Sequence, residues 1–140
     1  MLGQVLAEFP DQVRLAYKDF PLDFHAGAEP AAMAARCAGE RGRYWEYHDL
    51  LFVAQPAFTR ADLVTYAVRL GLPPEAFAAC LDSGQYRDAV RTDMREGRAA
   101  GVSATPTFFI NGRRLVGSQP LAAFREAVQD ALRDADTKRP

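Results

Sequence analysis

Gly101-Val102-Ser103-Ala104-Thr105-Pro106-Thr107-Phe108-Phe109-Ile110-Asn111-Gly112-Arg113-Arg114-Leu115-Val116 decides how the rest of the chain is read. Thr107–Ile110 is a short apolar run with β-favouring side chains. Asn111-Gly112 follows it, and both residues tolerate positive φ, which makes the pair the strongest short-range hairpin signal. Arg113–Val116 is then the return strand. Downstream, Leu121, Phe124, Val128 and Leu132 share one helical face. The hairpin therefore sits between a helical stretch that stops at Gly101 and a final helix.

Working outward, the period from about Glu29 to Ala100 is helical throughout. Pro30 suits the first turn of a helix ending near Gly42, and a second helix carries Tyr44, Trp45, Tyr47, His48, Leu51 and Phe52 and stops before Pro56. Thr59 suits the N-cap of a third, and Pro73-Pro74 opens a fourth that ends near Gly84. A fifth spans about 85–100. The aromatic stripe Tyr44, Trp45, Tyr47 and Phe52 is expected in the core of this helical part. Near the N-terminus, Leu2, Val5, Leu6 and Phe9 mark an amphipathic helix. Val13, Leu15 and Tyr17 alternate with polar or small residues and predict a strand over Val13–Lys18, ended by Pro21. The order is helix, strand, helical insert, hairpin, helix: α/β with helices in the majority.

Composition narrows the function. Seventeen basic and 18 acidic residues leave a net charge of -1. That balance, with no basic stripe evident, argues against nucleic acid as a partner. No apolar run approaches the roughly 20 residues that cross a bilayer. The N-terminal residues lack the basic, apolar and small-residue zones of a signal peptide, so the chain as written is expected to stay in the cytoplasm. No phosphate-cradling glycine loop, repeat or interdomain linker is present.

The two cysteines, Cys37 and Cys80, are too far apart for a Cys-x-x-Cys motif and too few for a zinc site. Each falls within a helical pattern, as a small buried hydrophobe would. His25 and His48 are the only histidines. His48 lies among Trp45, Glu46, Asp49 and Phe52 with no second ligand at metal spacing, so it is expected to pack or cap. No metal and no cofactor are expected.

Three phrases in this order resemble a known family. Val13-Arg14-Leu15-Ala16-Tyr17-Lys18-Asp19-Phe20-Pro21-Leu22 is similar to the second core strand of bacterial DsbA-like thioredoxin-fold proteins. Ala34-Ala35-Arg36-Cys37-Ala38 with Tyr44-Trp45-Glu46-Tyr47-His48-Asp49-Leu50-Leu51-Phe52 resembles the start of that family's inserted helical domain. Gly101 to Gly112 resembles its cis-proline loop and hairpin. The resemblance implies a thioredoxin-like core over 1–24 and 101–135, a helical insertion over 25–100 and a frayed tail over 136–140. It also implies that the core lacks its first strand.

The family's activity is thiol–disulfide exchange, by a Cys-x-x-Cys that follows that first strand at a helix N-terminus. No residues here match it, so no catalytic residue is assigned, and a truncated oxidoreductase, inactive alone, is expected. The resemblance makes Pro106 cis and gives Thr105 and Pro106 the role of pairing with extended protein substrates. It also raises a structural Cys37–Cys80 bridge, with two free buried thiols as the alternative. The family works outside the cytoplasm. A non-catalytic peptide-binding module and a glutathione-using isomerase-like relative are the other readings. Without the first strand, Val13–Lys18 and Thr107–Ile110 are expected to pair directly; failing that, a homodimer supplies a strand or the edges stay open.

Overall fold

A computed structural model describes residues 1–137. Among these residues seven helices and one hairpin follow in order: α1 Leu2–Glu8, α2 Ala28–Gly39, α3 Tyr44–Ala54, α4 Arg60–Arg69, α5 Pro74–Ser83, α6 Arg87–Ala99, β1 Thr107–Ile110, β2 Arg113–Val116 and α7 Leu121–Thr137. Contacts divide the chain into two compact units. One comprises Met1–Tyr17 with the described residues from Arg98 onward, and the other is Lys18–Gly97.

The first unit is built on the hairpin. Asn111 and Gly112 have φ of 47° and 87°, the two left-handed positions the tight turn needs. The antiparallel register sets Phe108 opposite Leu115 and Ile110 opposite Arg113. Phe108, Ile110 and Leu115 thereby face one side, where they pack with Leu2, Phe9, Val13, Leu121 and Leu132 against buried Val5, Phe124 and Val128. The Phe108 and Phe124 rings meet edge to face, 4.8 Å between centroids. Arg125 clasps Glu8 with two hydrogen bonds and ties α7 to α1 at the surface.

Two expectations fail in this unit. Val13–Lys18 is not a strand: the described residues form one two-stranded sheet, β1–β2. Nor do Val13–Lys18 and Thr107–Ile110 close up, since no backbone hydrogen bond joins them among the described residues. The reason lies in what alternation encodes. It places an apolar face, and Val13 does pack on the core; a strand additionally needs a ladder partner. Among the described residues no strand pairs with the edge of β1 away from β2. Of the tail expected to fray over 136–140, Asp136 and Thr137 belong to α7 and 138–140 lie outside the described residues.

The second unit packs α2 to α5 around a large core. The alanine-rich α2 has high helix propensity and a small-residue face, with Ala31, Ala34, Ala35 and Ala38 all buried. Tyr47 and Leu63 are fully buried, and the Tyr47 hydroxyl donates to the Leu63 carbonyl at 2.8 Å. Burial also raises the pKa of that phenol. Thr59 and Asp62 form a reciprocal capping box at the start of α4. The aromatic stripe of α3 divides: Tyr47 is core, whereas Trp45 and Phe52 are 43% and 59% exposed, contrary to expectation. They lie on the helix face opposite buried Tyr47 and Leu51.

Candidate functional site

The loop entering the hairpin begins where Gly101 ends the preceding helix with φ of 80°. Arg114 on β2 donates to the Gly101 carbonyl at 2.9 Å, and the Thr107 hydroxyl donates to that of Ala104 at 2.6 Å. The Thr105–Pro106 peptide bond is cis. The Gly117 N–H donates to the Pro106 carbonyl at 2.8 Å, which fastens the end of the loop to the far end of β2. Ser103 to Pro106 remain exposed. Among the described residues no hydrogen bond engages the Thr105 backbone. The arrangement is a pinned, solvent-facing backbone that leads straight into a strand with one open edge. Such a backbone can accept an extended peptide by strand addition.

The sulfur chemistry lies in the other unit. Cys37 on α2 and Cys80 on α5 form a disulfide, with Cα atoms 6.0 Å apart and both residues at least 91% buried. No free cysteine is present. The bridge staples two helices that already pack together. It therefore offers no exposed thiolate, and exchange chemistry requires one.

Of the histidines, His25 is exposed and meets Phe24 edge on. His48 is mostly buried among Tyr44, Trp45 and Phe52, with Nδ1 3.0 Å from an Asp49 carboxylate oxygen. Among the described residues no three His, Cys, Asp or Glu side chains cluster to hold a metal.

A second polar cluster escaped the sequence reading. Asp19 and Asp93 are 4% and 7% exposed. Arg36 on α2 lies between them: its Nε donates to Asp19 at 2.7 Å and its Nη2 to Asp93 at 2.6 Å. The Asp19 N–H also donates to Asp93, at 3.0 Å, and Lys18 Nζ bridges Asp93 and Glu96, at 2.9 Å to each. Burial holds the Asp19 carboxyl above its ordinary pKa, against the pull of Arg36. The sequence signal was Asp93 itself, an acid flanked by Val90 and Met94 on the buried face of α6. A basic flank on α6 was also missed. Arg87, Arg91 and Arg95 follow at four-residue spacing, and Glu29 pairs with the first two at 3.1 and 3.4 Å.

A family model described as Thioredoxin matches residues 1–130. Among curated relatives, "Na(+)/H(+) antiporter NhaA 1" of Salinispora arenicola is 38% identical over 143 residues, which cover 98% of this chain and 22% of that protein. "Na(+)/H(+) antiporter NhaA 3" of Salinispora tropica is 40% identical over 124 residues, 88% of this chain and 19% of that protein. The chain thus spans about a fifth of the length of these relatives. A thioredoxin-like oxidoreductase from Silicibacter pomeroyi DSS-3 superposes with a TM-score of 0.81 at 23% identity, covering 94% of this chain and 75% of that one. Oxidised BdbD from Bacillus subtilis gives 0.81 at 21% identity, with 95% and 77% covered.

Proposed function

The chain belongs to the thioredoxin family and has the fold of its DsbA-like oxidoreductases; on that premise we propose that it is the substrate-holding body of a thiol–disulfide oxidoreductase, with no exchange turnover of its own. One contrast supports this reading. The Thr105–Pro106 loop is exposed and runs into an open strand edge, whereas both cysteines are consumed in a buried bridge. Exchange needs an accessible thiolate and a second thiol to resolve the mixed disulfide. Neither Cys37 nor Cys80 supplies one. Backbone pairing with an extended, unfolded protein needs only the loop and the edge.

The antiporter activity in the relatives' names is not carried over. No described helix is long and apolar enough to cross a membrane. The part of those proteins that matches this chain is read as a thioredoxin-like unit. The buried bridge fits an oxidising compartment, so the proposed place of work is outside the cytoplasm.

Two measurements on the purified chain test the proposal. Insulin reduction in dithiothreitol is expected to run at the rate of the blank. A fluorescent unfolded peptide is expected to bind, and Pro106→Ala, which frees φ at that position, is expected to weaken binding at least tenfold. Turnover well above the blank would sink the first half of the proposal. Peptide binding that is absent, or unchanged in Pro106→Ala, would sink the second.

A further inference from the structure

The buried acids Asp19 and Asp93 share a single part-buried cation, Arg36, and neither takes part in the proposed substrate contact. Titratable and charged groups from four elements lie about Asp19. Lys18 precedes it, Arg36 comes from α2, His48 from α3, and Asp93 and Glu96 from α6. Lys18, Arg36, Asp19, Asp93 and Glu96 together carry one more negative than positive charge. Two like charges held in one buried site do not both ionise freely, and one of them takes a proton more readily.

Hydrogen bonding decides which. Asp93 accepts from three donors: Lys18 Nζ, the Asp19 N–H and Arg36 Nη2. Among the described residues the Asp19 carboxylate accepts from one, Arg36 Nε. Hydrogen bonds to a carboxylate stabilise its charged form, so with a single donor Asp19 is the carboxyl less well held in that form. When Asp19 is neutral, Arg36 keeps Asp93 as a charged partner, and the polar tie between α2 and α6 survives. We infer that Asp19 is a proton-binding switch of the Lys18–Gly97 unit: as the medium acidifies it takes up one proton, which relieves its repulsion with Asp93 while Arg36 and Lys18 keep their bonds to Asp93, and the folded chain gains stability.

The sign follows from linkage. Burial raises the folded-state pKa of Asp19, so the folded chain binds this proton more tightly than the unfolded chain. The stabilisation is fully present in acid below the ordinary aspartate range, and is lost as pH rises through the folded-state midpoint. This is opposite to the usual acid denaturation driven by salt-bridged carboxylates.

The test is a carboxyl-carbon NMR titration of the intact chain, with urea midpoints taken over the same pH range. Asp19 is expected to titrate above the ~3.9 of an unperturbed aspartate, and its midpoint should fall in Asp93→Asn, which removes the like charge. The urea midpoint of the native chain should drop as pH rises through that titration. In Asp19→Asn, a near-isosteric change, this drop should vanish, while in His48→Gln it should persist. An Asp19 midpoint at or below ~3.9 overturns the inference. So does a pH slope that survives in Asp19→Asn or disappears in His48→Gln. Should Asp93→Asn fail to fold, the native titration and the Asp19→Asn slope still decide.

Discussion

The Lys18–Gly97 unit, an insert only in chain order between the two segments of the other unit, and the unit that brackets it differ in how each holds itself together. The insert buries a contiguous cluster from α2 through α6, crosses it with a disulfide, and joins α2 to α6 by a network on the buried acids Asp19 and Asp93. The bracketing unit rests on a small buried cluster, Val5, Phe124 and Val128, beneath a two-stranded hairpin. A lone hairpin is marginal in water, so this unit depends on every apolar contact beneath it. The comparison teaches where exposed, adaptable backbone is found. The unit with the larger core carries no open strand edge, and the unit with the smaller core carries the open edge of β1 and the exposed 103–106 loop. Low local stability and an accessible backbone go together in binding segments generally.

The largest expected effect strikes the smaller core. Phe124 is 2% exposed and meets Phe108 edge on. Phe124→Ala removes that contact and leaves a cavity, at a cost of roughly 3–5 kcal/mol. Amide exchange resolved by segment should then show α1, the hairpin and α7 losing protection while α2 to α5 keep theirs. Equal loss in both units would break the comparison, because it would mean that they unfold as one.

The next effect strikes the insert. The Cys37–Cys80 bridge closes a loop with a sequence separation of 43. Chain entropy values such a loop at about 4 kcal/mol, and measured cases usually return about 2–4. The double variant Cys37→Ala/Cys80→Ala should lower the urea midpoint of the insert by a corresponding amount. The peptide affinity of the 103–106 loop should be unchanged. A loss of peptide binding on reduction would place the bridge in the substrate site, against the proposal above.

How far the sequence revealed these two regions follows from what a pattern encodes. Asn111-Gly112 and the run Thr107–Ile110 specify the hairpin locally, so its register was legible to the residue. The capped helices α4 and α5 were legible for the same reason, through Thr59 and Pro73-Pro74. Val13–Lys18 misled because alternation marks an apolar face and says nothing of a ladder partner. Trp45 and Phe52 misled because hydrophobicity alone does not say which side of α3 meets the core; α3 is apolar on both sides. The Asp19–Arg36–Asp93 cluster joins residues 17 and 57 positions apart, and no local pattern signals it.

A third prediction tests the hairpin turn. Gly112 has φ of 87°, and a Cβ there would meet nothing within 4 Å, so the penalty of a side chain is conformational and not steric crowding. Gly112→Ala should cost about 1–2 kcal/mol through the left-handed backbone. Because the bracketing unit has little margin, exchange across β1 and β2 should rise visibly. Unchanged exchange at Phe108 and Leu115 would show that the hairpin is held by its core face more than by its turn.

The smallest effect returns to the insert and uses its margin as the measure. The Thr59 hydroxyl accepts from the Asp62 N–H at 3.2 Å, and the Asp62 carboxylate accepts from the Thr59 N–H at 2.9 Å. Thr59→Ala removes the first bond and the one the hydroxyl donates to the Asp62 carboxylate at 2.6 Å, at a cost of about 1 kcal/mol, the usual value for an N-cap. In a unit with a large core and a disulfide, that loss is expected to fray only the first turn of α4. Leu63 and Tyr66, one turn and two turns further on, are anchored by burial. Their amides should stay protected while those of Ala61 and Asp62 exchange faster. A loss comparable in energy to Gly112→Ala, but spread over all of α2 to α5, would show that the insert is no better buttressed than the unit it interrupts.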